Sequence, residues 1–234
     1  TVLSYSVAFY FAAGGLILYG LLLAFLAYET LPPQTTVQAF TRTFRGYLDV
    51  LRDRPFLSFV STFILVQMSG VLMWVLLPVY AHDQFQIPES QYGLIPTTNA
   101  LMVVFFQVFV TKITRRYRAL PVMAVGSLLY ALGVGSVALG EGFIAFWLSM
   151  VIMTVGELIL MPTASTYVAQ LAPADMRGRY MSISGLTWNI AYGIAPPAGG
   201  YLSDQISPQA IWIGGLLAGF SAFMGYSFLA RQNR

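Results

Sequence analysis

Cysteine is absent from all 234 residues, and histidine occurs once, as His82. Without thiols there is no disulfide framework, thiolate nucleophile or cysteine metal site, and one isolated imidazole makes no metal centre. No cofactor is expected. Charge is scarce too: Asp, Glu, Lys and Arg together make up 9% of the chain, against about 25% in soluble globular proteins. The net charge of +3 forms no basic stripe with interleaved aromatics, which argues against nucleic-acid binding. No Ser/His pair, paired carboxylates or metal constellation falls within the apolar runs, so the chain does not read as an enzyme.

What the chain has in abundance is apolar sequence, 57% of its residues, gathered into seven long segments. They run at about 4–28, 56–81, 91–113, 119–139, 142–170, 179–202 and 209–230. At ~1.5 Å per helical residue, each can cross a hydrocarbon core ~30 Å thick. The predicted fold class is an all-α polytopic membrane protein with seven transmembrane helices in a lipid bilayer. All twelve Lys and Arg residues fall in alternate connections. Arg42, Arg45, Arg52 and Arg54 lie in the first, Lys112, Arg115, Arg116 and Arg118 in the third, Arg177 and Arg179 in the fifth, and Arg231 and Arg234 in the tail. Connections 82–90, 140–141 and 203–208 hold none. Cytoplasmic loops retain Lys and Arg, so the pattern places the C-terminus inside a cell membrane and Thr1 on the outer side. An outer N-terminus on seven spans is most simply delivered by an odd number of preceding spans, so a fragment of a longer protein is expected.

Glu29-Thr30-Leu31-Pro32-Pro33 ends the first segment, because consecutive prolines cannot supply the amides a continuing helix needs. In the long connection that follows, Val37, Phe40, Phe44, Tyr47, Leu48 and Leu51 recur at helical steps opposite Arg42, Arg45 and Arg52. This describes an amphipathic helix lying along the inner membrane surface. Three parts follow: a span at 1–28, a linker at 29–55 and a six-span domain at 56–234. The six later spans divide into two triplets, each with two members carrying polar or Trp residues and a third made of aliphatics with Gly, Ser and Tyr. Triplets of three spans alternate in orientation, as in inverted-repeat transporters.

Glu157 is the only ionisable residue deep within a span. An unpaired charge there costs about 2.5–3.5 kcal/mol, so it should face the bundle or a wet cavity. It is a candidate to take up and release a proton as its surroundings alternate between wet and dry, or to bind substrate. A permanently protonated Glu bonded to a neighbouring helix would have the same sequence. Pro162, five residues on, frees the carbonyl of Leu158 and should bend the helix. Gln67 and Trp74 share one helix face, as do Asn99 and Gln107, while Trp188 and Tyr192 lie four apart beside Asn189. With Met153 and Met161, these are candidate linings of an amphipathic cavity, and interhelical hydrogen bonding is the alternative for the amides. In Gly193-Ile-Ala-Pro196-Pro197-Ala-Gly199-Gly200 the prolines free two carbonyls and mark a deformable stretch. Gly215 and Gly219 permit close helix contact. Asp175 is placed to cap the sixth span, with Arg177 and Arg179 at the inner mouth.

Together, Glu29-Thr30 before a long linker, Gly156-Glu157 followed by Pro162, Leu171-Ala-Pro173-Ala-Asp-Met-Arg177-Gly178-Arg179, and Gly199-Gly200-Tyr-Leu-Ser-Asp204 resemble the C-terminal part of a major facilitator superfamily transporter. The chain is most similar to bacterial drug:proton antiporters. The resemblance covers essentially the whole chain, with 1–28 as the last helix of an N-terminal half, 29–55 as the central linker and 56–234 as the six-helix C-domain. It implies a cavity lined by the spans at 56–81, 91–113, 142–170 and 179–202, alternating access between two halves, and protons and small molecules as partners. It also implies that Asp175, Arg177 and Arg179 form a cytoplasmic gate against an N-terminal half absent from this sequence. The stretch 193–200 is similar to the Gly-Pro motif of antiporters, whose diagnostic copy lies in another helix. Residues 112–118 keep only the basic part of the family's Gly-Asp-Arg loop. The resulting expectation is proton-coupled efflux of amphipathic or hydrophobic small molecules. A proton-coupled peptide or nutrient symporter is the alternative, on the same Gly156-Glu157 and Pro162. A seven-helix receptor or rhodopsin is more distant, since the last span has no Lys for a retinal Schiff base and no cysteine pair exists.

Overall fold

A computed structural model of the protein describes residues 5–26 and 46–232. The first described stretch belongs to one compact unit and the second to another. The first contributes α1, Tyr5–Leu26, whose sequence contains no charged residue. Most of the proposed amphipathic helix, including Val37, Phe40, Phe44, Arg42 and Arg45, lies outside the described residues. Its end, 46–50, is helical. There the periodic pattern is only partly followed: Val50 is fully buried and Tyr47 packs on the core, whereas Leu48 and Leu51 are exposed.

The second unit contains α2 (Arg54–Phe85), a single turn α3 (Glu89–Tyr92), α4 (Leu94–Thr114), α5 (Ala119–Ser136), a 3-10 turn (Val137–Leu139), α6 (Gly142–Leu171), α7 (Arg177–Gln205) and α8 (Ala210–Gln232). The observed helices match the seven apolar segments to within a few residues. Six of them are long and apolar enough to cross a membrane. The seventh, α7, has the length, 29 residues, but Ser182, Ser184, Thr187 and Asn189 dilute its hydropathy.

Local chemistry fixes the ends. Asp53 caps α2, its carboxylate accepting from the Phe56 amide at 3.3 Å, with Pro55 in the first turn where no donor is needed. Gln86 closes α2 in the left-handed conformation at φ 53°. Between α5 and α6 the chain reverses through Gly140 and Glu141 into Gly142, whose φ of +76° is open to glycine at little cost. One expectation is overturned: Asp175 does not cap α7. Met176 holds the cap position without any side-chain cap, because the Pro173 carbonyl accepts from the Met176 amide at 2.9 Å and turns the chain before Asp175 can reach.

The packing repeats under exchange of the triplets α2–α4–α5 and α6–α7–α8. Helix α2 packs on α7 and α8, α6 packs on α4 and α5, and the third members, α5 and α8, pack on each other. Small residues make the third-member contacts possible. A side chain at Gly133 would meet the backbone of Met153 on α6, and one at Gly219 the backbone of Ala131 on α5. Aromatics fill both ends of the bundle. Tyr80 contacts Phe85, Phe146 and Trp212 at one end, and Phe59 contacts Phe63, Tyr167 and Tyr226 at the other. Large apolar side chains such as Val104, Phe105, Leu217 and Phe228 remain on the outside, the reverse of a water-soluble surface.

The basic connections converge. Pro55, Arg118, Leu171 and Ala230 line one cavity of about 380 Å³, which brings the first, third and fifth connections and the tail to the same end. Two of the basic-free connections, the second and the sixth, meet at the other end, where Asp83, Gln84, Ser203, Asp204 and Pro208 line a second cavity of about 240 Å³.

Candidate functional site

The seam between α4 and α6 carries the polar residues that the apolar spans otherwise exclude. Asn99 is buried on α4, and its Nδ2 donates to Glu157 Oε2 at 2.7 Å and to Thr154 Oγ1 at 3.0 Å. Thr154 is one turn before Glu157 on α6 and donates its own proton to the Met150 carbonyl. Its oxygen is therefore an acceptor, which orients the Asn99 amide nitrogen toward Glu157. Glu157 is half-buried. Among the described residues its other oxygen, Oε1, has no hydrogen-bond partner, so one oxygen is held and one is available.

About two turns further along α4, Gln107 Nε2 donates to the Leu158 carbonyl at 3.2 Å and to Thr111 Oγ1 at 3.1 Å. Leu158 is the residue whose helical acceptor role is lost because Pro162 has no amide hydrogen. Helix α6 runs unbroken past the proline, and a neighbouring helix supplies the missing donor. Toward the other end, Trp147 Nε1 donates to Thr98 Oγ1 at 2.9 Å. Glu157, Asn99, Gln107 and Pro162, chosen separately on the sequence, are thus brought together on one seam. Thr154, Thr98 and Trp147 were missed, since nothing in a single sequence says which helices are neighbours.

The other candidates divide into open and closed positions. Met161 and Trp188 line a crevice of about 200 Å³ with Phe63, Ser165, Met181 and Ser184, between α6 and α7. Trp188 and Tyr192 stand with ring centroids 6.2 Å apart, with Asn189 exposed beside them. Trp74 is half-buried and packs on the core. Gln67 and Met153 reach no open surface: both are fully buried, Met153 against Gly133 and Gln67 with neither amide atom partnered. Tyr130 on α5 is also fully buried, its hydroxyl without a hydrogen-bond partner among the described residues and its ring against Gly70 of α2. Its Tyr identity in an otherwise aliphatic span was the signal that could have marked it.

At the basic end, Arg177 and Asp175 are exposed, while Arg179 is half-buried. The Arg179 guanidinium lies over Gly46, where any side chain would collide with it. Next to it the Tyr180 hydroxyl donates to Asp53 Oδ2 at 2.6 Å, and its ring packs on Phe56 at 4.5 Å. The first turn of α7 is thereby tied to the linker's end and to the cap of α2. Pro196 and Pro197 sit inside a continuous α7, and Gly199 receives the side chains of Leu72 and Leu76, not another backbone.

This arrangement, a two-triplet helical bundle with a single half-buried acid on an inner seam, agrees with comparison to known proteins. The chain is 24% identical over 243 aligned positions to a Na(+), Li(+), K(+)/H(+) antiporter of Planococcus maritimus, covering 91% of this chain and 55% of that protein. It is 25% identical over 226 positions to the multidrug resistance protein MdtH of Escherichia coli, covering 95% and 56%. The chain therefore spans about half the length of these curated relatives. In fold it is similar to the crystal structure of a POT family transporter in complex with a thioalcohol-conjugated peptide, with a TM-score of 0.67 at 16% identity over 97% of this chain and 54% of that one. Residues 59–234 match the profile of the Major Facilitator Superfamily, and the chain belongs to that superfamily.

Proposed function

We propose that this chain is the C-terminal part of a secondary active transporter that exports amphipathic or hydrophobic small molecules against protons by alternating access. Members of the superfamily are transporters, not enzymes. The observation that carries the reading is the Glu157 carboxylate, held at Oε2 by Asn99 and, among the described residues, unpartnered at Oε1. A proton added at Oε1 leaves the Asn99 bond in place, so protonation changes the charge without dismantling the seam. A cationic substrate would meet that same oxygen. The aromatic pair Trp188 and Tyr192 with Met161 offers an apolar, polarisable wall for the rest of the molecule. The relatives named as a cation/H(+) antiporter and a multidrug resistance protein support proton-linked export.

On this reading Thr1 is outside, the basic connections are cytoplasmic, and an N-terminal half completes the cavity and meets Arg177 and Arg179 when the inner side closes. The test is substrate-driven proton movement in proteoliposomes of the full-length protein, using a panel of lipophilic cations, neutral amphiphiles and Na(+) or K(+). Proton flux evoked by an amphiphile is the expected result. Silence toward every amphiphile, or proton flow in the same direction as the substrate, would overturn antiport.

A further inference from the structure

We propose that the cleft between α4 and α6 at the basic end of the bundle binds a phosphate group. Above it the two helices are joined by Gln107 and Asn99; below Pro162 they part around a cavity of about 430 Å³. Arg115 and Arg118 line it, and among the described residues no carboxylate does. Arg115 has no ion-pair partner among the described residues, so its forked guanidinium is available for a phosphate oxygen.

The polar lining is not uniform, and its hydrogen bonds sort donors from acceptors. Thr163 and Thr166 give their protons to the Ile159 and Pro162 carbonyls and present only lone pairs. Thr111 differs: its oxygen accepts from Gln107, and its proton has no acceptor among the described residues. The Gln170 amide is likewise without a partner. Arg115, Thr111 and Gln170 therefore bring donors to one space that Arg118 also lines, and no carboxylate among the described residues lines it. The site lies at the level where the basic connections leave the apolar spans, the depth of a phospholipid headgroup. A soluble phosphate offers the same chemistry from the aqueous side.

Native mass spectrometry of the full-length protein in neutral micelles distinguishes these. Phosphatidylglycerol is expected to be retained over diacylglycerol of the same chains. Arg115→Gln should lower retention about fivefold, and adding Arg118→Gln should lower it about 25-fold. Arg116→Gln removes the same charge outside the cleft and should leave retention unchanged. Failure of millimolar inorganic phosphate to displace the lipid assigns the site to a lipid headgroup, and displacement assigns it to soluble phosphate. Equal retention by wild type and the double variant, or an equal loss with Arg116→Gln, would overturn the proposal.

Discussion

Asn99 uses both hydrogens of one nitrogen, on Thr154 and on Glu157, and this makes it the residue that sets the carboxylate's position. A hydrogen bond to a charged group is worth about 1.5–3 kcal/mol, so Asn99→Leu should lower proton-linked transport roughly tenfold or more at unchanged expression. Transport and immunoblot measured together would check it, and full activity in Asn99→Leu would remove Asn99 from the site. The candidacy of Glu157 was legible in the sequence because one acid stands out in a 30-residue apolar helix. Its partner was not legible, because Asn99 follows the same helical spacing whether it faces α6, lipid or another helix. The same ignorance of neighbours explains why Gln67 and Met153 were grouped with open positions although α2 and α6 turn them inward. Asp53 could have been read: an Asp two residues before Pro55 at the start of an apolar run has the chemistry of a capped helix start.

Helix α6 contains a proline yet stays continuous, and the hydrogen bond from Gln107 accounts for the carbonyl that proline orphans. This pairing can be separated from ordinary packing by a double-mutant cycle. Gln107→Leu should destabilise the protein by about 1–2 kcal/mol, lowering the thermal midpoint by about 2–6 °C. In a Pro162→Ala background the restored amide serves Leu158, so the same Gln107→Leu change should cost less than half as much. Additive losses would mean that Gln107 acts elsewhere. At this scale the sequence was informative because span length and hydropathy leave few choices of boundary. Its weak point was α7, whose hydroxyls and amide dilute the apolar signal, and the linker's end, where Val50 and Gly46 face the bundle against a pattern drawn for a membrane surface.

Across the whole molecule, the gathering of basic connections at one end converts a statistical rule about loops into a geometric fact about the bundle. By the rule, the basic end is proposed to face the cytoplasm. These 234 residues contain no cysteine, so in the full-length protein, with any cysteine elsewhere replaced, the test is direct. Single cysteines at the exposed positions Gln84 and Arg116 should react with an impermeant maleimide from opposite sides of intact cells, Gln84→Cys from outside and Arg116→Cys only after permeabilisation. Labelling of Arg116→Cys in intact cells would invert the orientation. Contacts of α2 with α7 and α8, mirrored by α6 with α4 and α5, place the polar seam between the two triplets' inner members. In the proposed alternating access between two halves, an acid on an inner helix of this half would meet each side in turn. The most direct measurement is therefore substrate-dependent proton flux in proteoliposomes of the full-length protein, wild type against Glu157→Gln. The account predicts that the variant loses proton flux while the protein remains folded in the membrane; proton flux and pH dependence equal to wild type would contradict it.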